Sequence, residues 1–175
     1  PYEDVTLGVR NAVREVEELT GHKLLAEEGI IVPSKGKNEG VDIYVTTSSA
    51  GGGLQMMVGG VMKVMTAESA ERAALGAGAI VMDVLSVDDG RKPYQKIQTI
   101  RYLRPDMILI AGGTDGGQVK HVAEIVELIS VSEPKARFGE LYKLPIVYAG
   151  NVAVRDHVKK VFAEKYALKL VDNIR

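Results

Sequence analysis

The chain has 175 residues, 46% of them hydrophobic and 26% charged, with a formal net charge of -1. That length suits one domain with its own hydrophobic core, burying roughly 70% of the surface its unfolded chain exposes, so disordered, collagen-like and low-complexity classes are excluded. The 22 basic and 23 acidic residues give no general grip on nucleic acid or anionic lipid. With no cysteine, disulfides, thiolate metal sites and cysteine nucleophiles are excluded, a reducing compartment is permitted, and the cytoplasm is the expected location.

No apolar run approaches the ~20 residues that cross a bilayer, so no membrane partner is expected. The chain opens at Pro1 rather than Met, as a processed chain or a piece of a longer one would. Val5, Val9, Ala12, Val13, Val16 and Leu19 recur at helical spacing and predict an amphipathic helix from Tyr2 to Thr20, stopped by Gly21. Residues Glu27 to Gly40 read as a loop around the apolar run Ile30–Val32. Alternation of Val41, Ile43 and Val45 with polar residues predicts a half-buried strand, and Leu54 to Met62 a second one paired to it. Between them lies the small-residue turn Ser48-Ser49-Ala50-Gly51-Gly52-Gly53, so residues 41–62 are read as a β-hairpin.

From Thr66 the pattern alternates helix and strand. Thr66 is expected to cap a helix over Ala67 to Leu75, and Ala79 to Leu85 to form a buried strand. Pro93 opens the next helix and Arg104-Pro105 ends it. Met107 to Ala111 is a strand, followed by a glycine turn and a helix on Val119, Val122, Ala123, Val126 and Ile129. After a polar connection from Ser132 to Lys143 come a strand (Pro145 to Ala149), a helix (Val152 to Tyr166) and a last strand (Ala167 to Val171). The fold class is therefore α/β: a three-layer single domain over 1–175, with a mostly parallel sheet and helices on both faces.

Ligands of such sheets bind where strands lead into helices. Two glycine-rich bends qualify as candidates. Thr47, Ser48, Ser49, Gly51, Gly52 and Gly53 combine hydroxyl donors with unhindered backbone, as either an anion site or a flexible turn. Gly112, Gly113, Thr114, Asp115, Gly116 and Gly117 run from a strand straight into a helix, whose N-terminus favours negative charge. Asp115 would repel a phosphate; its alternatives are to cap the helix, bind a ribose-like hydroxyl or hold hydrated Mg2+. Asn151 is either an N-cap or a third contributor, and the two bends are expected to share one rim of the sheet. Neither G-x-x-x-x-G-K-[ST] nor a strand-preceded G-x-G-x-x-G is present. His22, His121 and His157 stand without metal-ligand spacing, no hydrolase triad or catalytic acid–base pair is legible, and Met56, Met57, Met62 and Met65 fill core gaps or form a contact surface.

Three stretches carry a resemblance: Thr47-Ser48-Ser49-Ala50-Gly51-Gly52-Gly53-Leu54-Gln55-Met56, then Thr66 to Ala79, then Arg104-Pro105-Asp106-Met107-Ile108-Leu109-Ile110-Ala111-Gly112-Gly113-Thr114-Asp115-Gly116-Gly117, with Ala149-Gly150-Asn151 in addition. Together they resemble the MutL-type accessory proteins of glutamate mutase, which are distinct from the mismatch-repair protein of the same name. The resemblance implies an actin-like ATPase relative that acts as a chaperone-like reactivating partner of an adenosylcobalamin-dependent mutase, using ATP and Mg2+ to exchange damaged cofactor. The family's Asp-x-Gly-Ser-Thr phosphate loop is expected before Pro1, and its second acidic-glycine loop beyond Arg175. An internal piece of that kind is not expected to hydrolyse ATP alone. Thr47 stands where the family commonly has cysteine, which argues against thiol chemistry there.

Overall fold

The computed structural model describes residues 5–46, 53–137, 139 and 143–174. They fall into two compact units, Pro1–Gly51 and Gly52–Arg175.

In the first unit, helix α1 (Val5–Thr20) ends at Gly21, whose φ of 66° releases the chain from the helix and whose N–H still reaches Glu17 O at 2.8 Å. The Glu17 carboxylate then accepts the N–H groups of Leu24 and Leu25, at 2.5 and 2.7 Å. These bonds hold its pKa below the usual carboxylate range, with the Leu25 bond first. That anchors a small antiparallel hairpin of β1 (Leu25–Ala26) and β2 (Gly29–Ile30), whose second strand falls in the stretch expected to be loop. The expected strand at residues 41–46 does not form. Ile43 and Val45 are 80% and 79% exposed, and with no described strand beside them their alternation has nothing to pack against.

The second unit is built on five parallel strands: β3 (Gln55–Gly59), β4 (Ile80–Leu85), β5 (Met107–Gly112), β6 (Pro145–Gly150) and β7 (Ala167–Leu170), in the order β4-β3-β5-β6-β7. This corrects the expected hairpin over 41–62. β3 pairs in parallel with both β4 and β5 and sits inside the sheet. Met56, Met57 and Val58 are buried, because an interior strand of a parallel sheet is covered on both faces.

Helix α2 (Glu68–Gly76) packs Ala70 and Ala74 against Met56, Val58, Leu109 and Ala111 on one face. Helices α3 (Pro93–Leu103), α4 (Lys120–Ser132) and α5 (Arg155–Phe162) cover the other face, around Ile108, Ile110, Ile129, Tyr148 and Phe162. Helices thus flank both faces, as expected. Thr66 does not cap α2. Its hydroxyl accepts the Met62 N–H at 2.9 Å and closes a wide helical turn, Lys63–Ala67, that leads into α2. Gly60 makes this possible, since a Cβ there would lie 2.5 Å from Ala67 N. No described helix is long and apolar enough to cross a membrane.

Candidate functional site

β3 is the first strand of the five, and β4 and β5 lie on either side of it. The chain leaves β3 toward α2 on one face and leaves β5 toward α4 on the other. A crevice between such diverging connections, at the carboxyl ends of the strands, is where open α/β sheets bind ligands. The Gly112–Gly117 loop lies at this switch point.

The other glycine-rich bend does not. Gly53 precedes β3 and lies by the amino-terminal end of β4, next to Gly78 O. In a parallel sheet that edge is opposite to the one Gly112–Gly117 occupies, so the shared rim expected for the two bends is corrected. The error came from pairing residues 41–46 with β3, which would have put the bend at a strand's carboxyl end. Thr47, Ser48, Ser49, Gly51 and Gly52 lie outside the described residues.

Within the second loop the glycines have different duties. A Cβ on Gly112, at φ 135°, would lie 2.8 Å from Val61 Cγ2, and one on Gly113 would meet Val122 and Asn151 at 3.0 and 3.1 Å. These two glycines let neighbouring chain pack closely; they do not bare the backbone. Gly117 closes a turn by donating its N–H to Thr114 O at 2.9 Å. Gly116, at φ 77°, has open space where a side chain would be.

Behind it, α4 begins without a side-chain cap. Where the chain first turns helical after β3, β4 and β6, side chains take leading donors: Asp88 accepts the Lys63 N–H, Gln95 the Lys92 N–H and Asn151 the Ala153 N–H. Helices α2 and α5 also lack a side-chain cap, but they continue from such turns. The α4 start therefore keeps donors and a favourable helix dipole for an anion.

Asp115 is not the α4 cap. Its Oδ1 accepts the Val152 N–H at 2.9 Å and Asn173 Nδ2 at 3.2 Å. The Val152 bond leads, with Asn173 and the Arg155 charge adding to it against a desolvation penalty, and Asp115 is held below the ordinary carboxylate pKa. Asn151 is buried and fully engaged: its N–H reaches Gly112 O, its Oδ1 takes the Ala153 N–H and its Nδ2 reaches Gly117 O. Its role is to tie the β6 connection to the loop, as an N-cap. Asn173 went unnoticed in the sequence, where nothing local marks a residue past the last strand.

A second polar cluster was also missed. At the end of β4, Arg91 bridges Asp83 and Asp89 at 2.8 and 2.7 Å, and Lys96 meets Asp89 at 2.9 Å. Its two cations and two carboxylates are mutually satisfied, which makes it a brace, buried at Asp89 and Lys96 and half-buried at Arg91 and Asp83. A carboxylate at position 83 in the middle of an apolar strand was its only sequence signal. His121 and His157 pair with Glu124 and Glu127, and His22 bonds Gly40 O. Among the described residues no group of three His, Cys, Asp or Glu is placed to hold a metal.

The family model described as "MutL protein" matches residues 1–175. The chain belongs to the MutL protein family. Protein MutL of Clostridium tetanomorphum is 39% identical over 137 residues, which cover 78% of this chain and 27% of that relative. The chain thus spans about a quarter of the length of the curated relative it matches. No solved structure matches it.

Proposed function

We propose that this chain is part of a chaperone-like reactivating factor for an adenosylcobalamin-dependent mutase such as glutamate mutase. In this reading the Gly112–Gly117 loop supplies one wall of a nucleotide site whose other walls come from segments outside the chain. The observation that carries it is the start of α4 at Lys120, without a side-chain cap and reached through the open Gly116, at the switch point between β3 and β5. Four main-chain N–H groups at a helix start suit a phosphate. Thr114 and Asp115 flank that position. With one carboxylate at hand, Mg2+ would be held chiefly by phosphate oxygens and water.

The test is a recovery assay. Mutase blocked with cyanocobalamin is incubated with adenosylcobalamin, ATP, Mg2+ and a longer MutL-family protein carrying this chain. Turnover should return only with ATP, and Gly116→Val, which strains the loop and fills its open side, should suppress the return. Recovery that ignores ATP or this substitution would overturn the reading. A stand-alone binding module with both bends around one pocket is not supported, given Gly53 on the opposite edge. A docking role has support of its own in Met62, Val64 and Met65, which are 50%, 70% and 51% exposed. Met62→Glu with Met65→Glu should then weaken capture of the purified mutase on the immobilised chain, and undiminished capture would remove that surface.

A further inference from the structure

The α4 start is open although a carboxylate stands in the loop just ahead of it. A negative side chain near a helix N-terminus is drawn toward it, and Asp115 is the acidic residue of that loop. What turns it aside is a fork of two donors. Val152 N–H, at the first residue of the helical turn after β6, lies 2.9 Å from Asp115 Oδ1. Asn173 Nδ2 lies 3.2 Å from the same oxygen and also donates to Gly113 O at 3.0 Å.

Asn173 is itself fixed. It sits in a strap, residues 171–174, laid along the end of β6: Val171 N–H donates to Tyr148 O at 3.0 Å, Ile174 N–H to Ala149 O at 3.2 Å, and Arg155 Nη2 to Val171 O at 2.7 Å. One amide group thereby joins the strap to both the backbone and the acidic side chain of the glycine loop.

We propose that Asn173 is a positioning residue that holds the Asp115 carboxylate on the Val152 N–H and away from the α4 start, keeping that start free for an anionic ligand. This rests on the reading that the loop takes a nucleotide phosphate. Without Asn173 the fork loses one prong, Gly113 O loses its donor, and the carboxylate can swing toward α4, where its charge would oppose the phosphate. Of the charged groups around Asp115, Arg155 is the cation whose field reaches it, and Asp172 lies 3.9 Å from that same guanidinium.

The experiment compares the chain with its Asn173→Ala and Asn173→Asp variants by NMR, following the Asp115 carboxyl and the Val152 amide through a pH titration, with amide exchange measured in parallel. In the parent chain Asp115 should titrate below the ordinary range and the Val152 amide should titrate with it. In Asn173→Ala the midpoint should rise and Val152 exchange should quicken roughly five- to tenfold, as for one lost hydrogen bond. Asn173→Asp, which sets a second carboxylate beside the first, should raise the midpoint further. A midpoint and an exchange rate that stay put in both variants would overturn the proposal.

ATP affinity is then measured in a longer family protein. Asn173→Ala should weaken it several-fold, and Asp115→Asn added to that variant should restore it, a rescue that loop loosening alone would not give. Unchanged affinity in Asn173→Ala would also overturn the proposal. If the parent protein does not bind ATP at all, the nucleotide reading falls, while the titration still decides whether Asn173 positions Asp115.

Discussion

Lys96 Nζ lies 2.9 Å from Asp89 Oδ1, and the two side chains are only 7% and 6% exposed. Burial by itself would raise the Asp89 pKa; its bonds to Arg91 and Lys96 outweigh that and bring it down to about 2. A carboxyl whose folded pKa is depressed stabilises the fold above its unfolded value, near 3.9, and loses that contribution as pH falls toward 2. The stake is roughly 2 kcal/mol. Urea midpoints measured between pH 6 and pH 2 should drop across the lower part of that range, and Asp89→Asn should flatten the drop. Lys96→Met should cost about 3 kcal/mol at neutral pH, because it takes one of the two cations from the buried Asp89.

The glycine loop offers a contrast between neighbours. Gly112→Ala combines a left-handed φ of 135° with a 2.8 Å approach to Val61, so it should cost about 3 kcal/mol and lower the denaturant midpoint clearly. Gly116→Ala meets no atom, only the strain of φ 77°, and should cost about 1 kcal/mol. Equal costs for the two would contradict the assignment of Gly112 to packing and Gly116 to the open side of the loop.

Much of this architecture could be read from local chemistry. Pro93 and Arg104-Pro105 bound α3 because proline acts on its own backbone and its neighbour's; Arg104 leaves the helix in the left-handed conformation, at φ 45°, and not in the extended one that a following proline favours. The apolar run at 107–112 forms the buried strand expected of it, whereas 80–85 forms an edge strand that is mostly half-buried, because only β3 lies beside it. A glycine run between strand and helix had to lie at a carboxyl edge. Strand partnership was not legible. Whether Val41, Ile43 and Val45 pair with anything depends on the rest of the fold, and β3 found its partners at β4 and β5 instead. Side-chain ties such as Asp115 to Val152, or Asn173 to Gly113, span dozens of residues and leave no periodic trace.

Tyr148 gives a separate check on how the β6 connection is held. Its buried hydroxyl donates to Asn151 O at 2.8 Å, and burial pushes its pKa up to about 12. Tyr148→Phe should cost about 1 kcal/mol in thermal or urea unfolding. The hydroxyl should also stay protonated to well above pH 10 by ultraviolet titration; ordinary titration near 10 would contradict its burial.

The most direct test of the nucleotide reading is hydrogen exchange of a longer MutL-family protein with and without ATP and Mg2+. The expected result is slowed exchange at residues 114–121, with no change at Gly53 and Leu54 on the opposite edge. Saturating ATP that leaves 114–121 exchanging as before would contradict it.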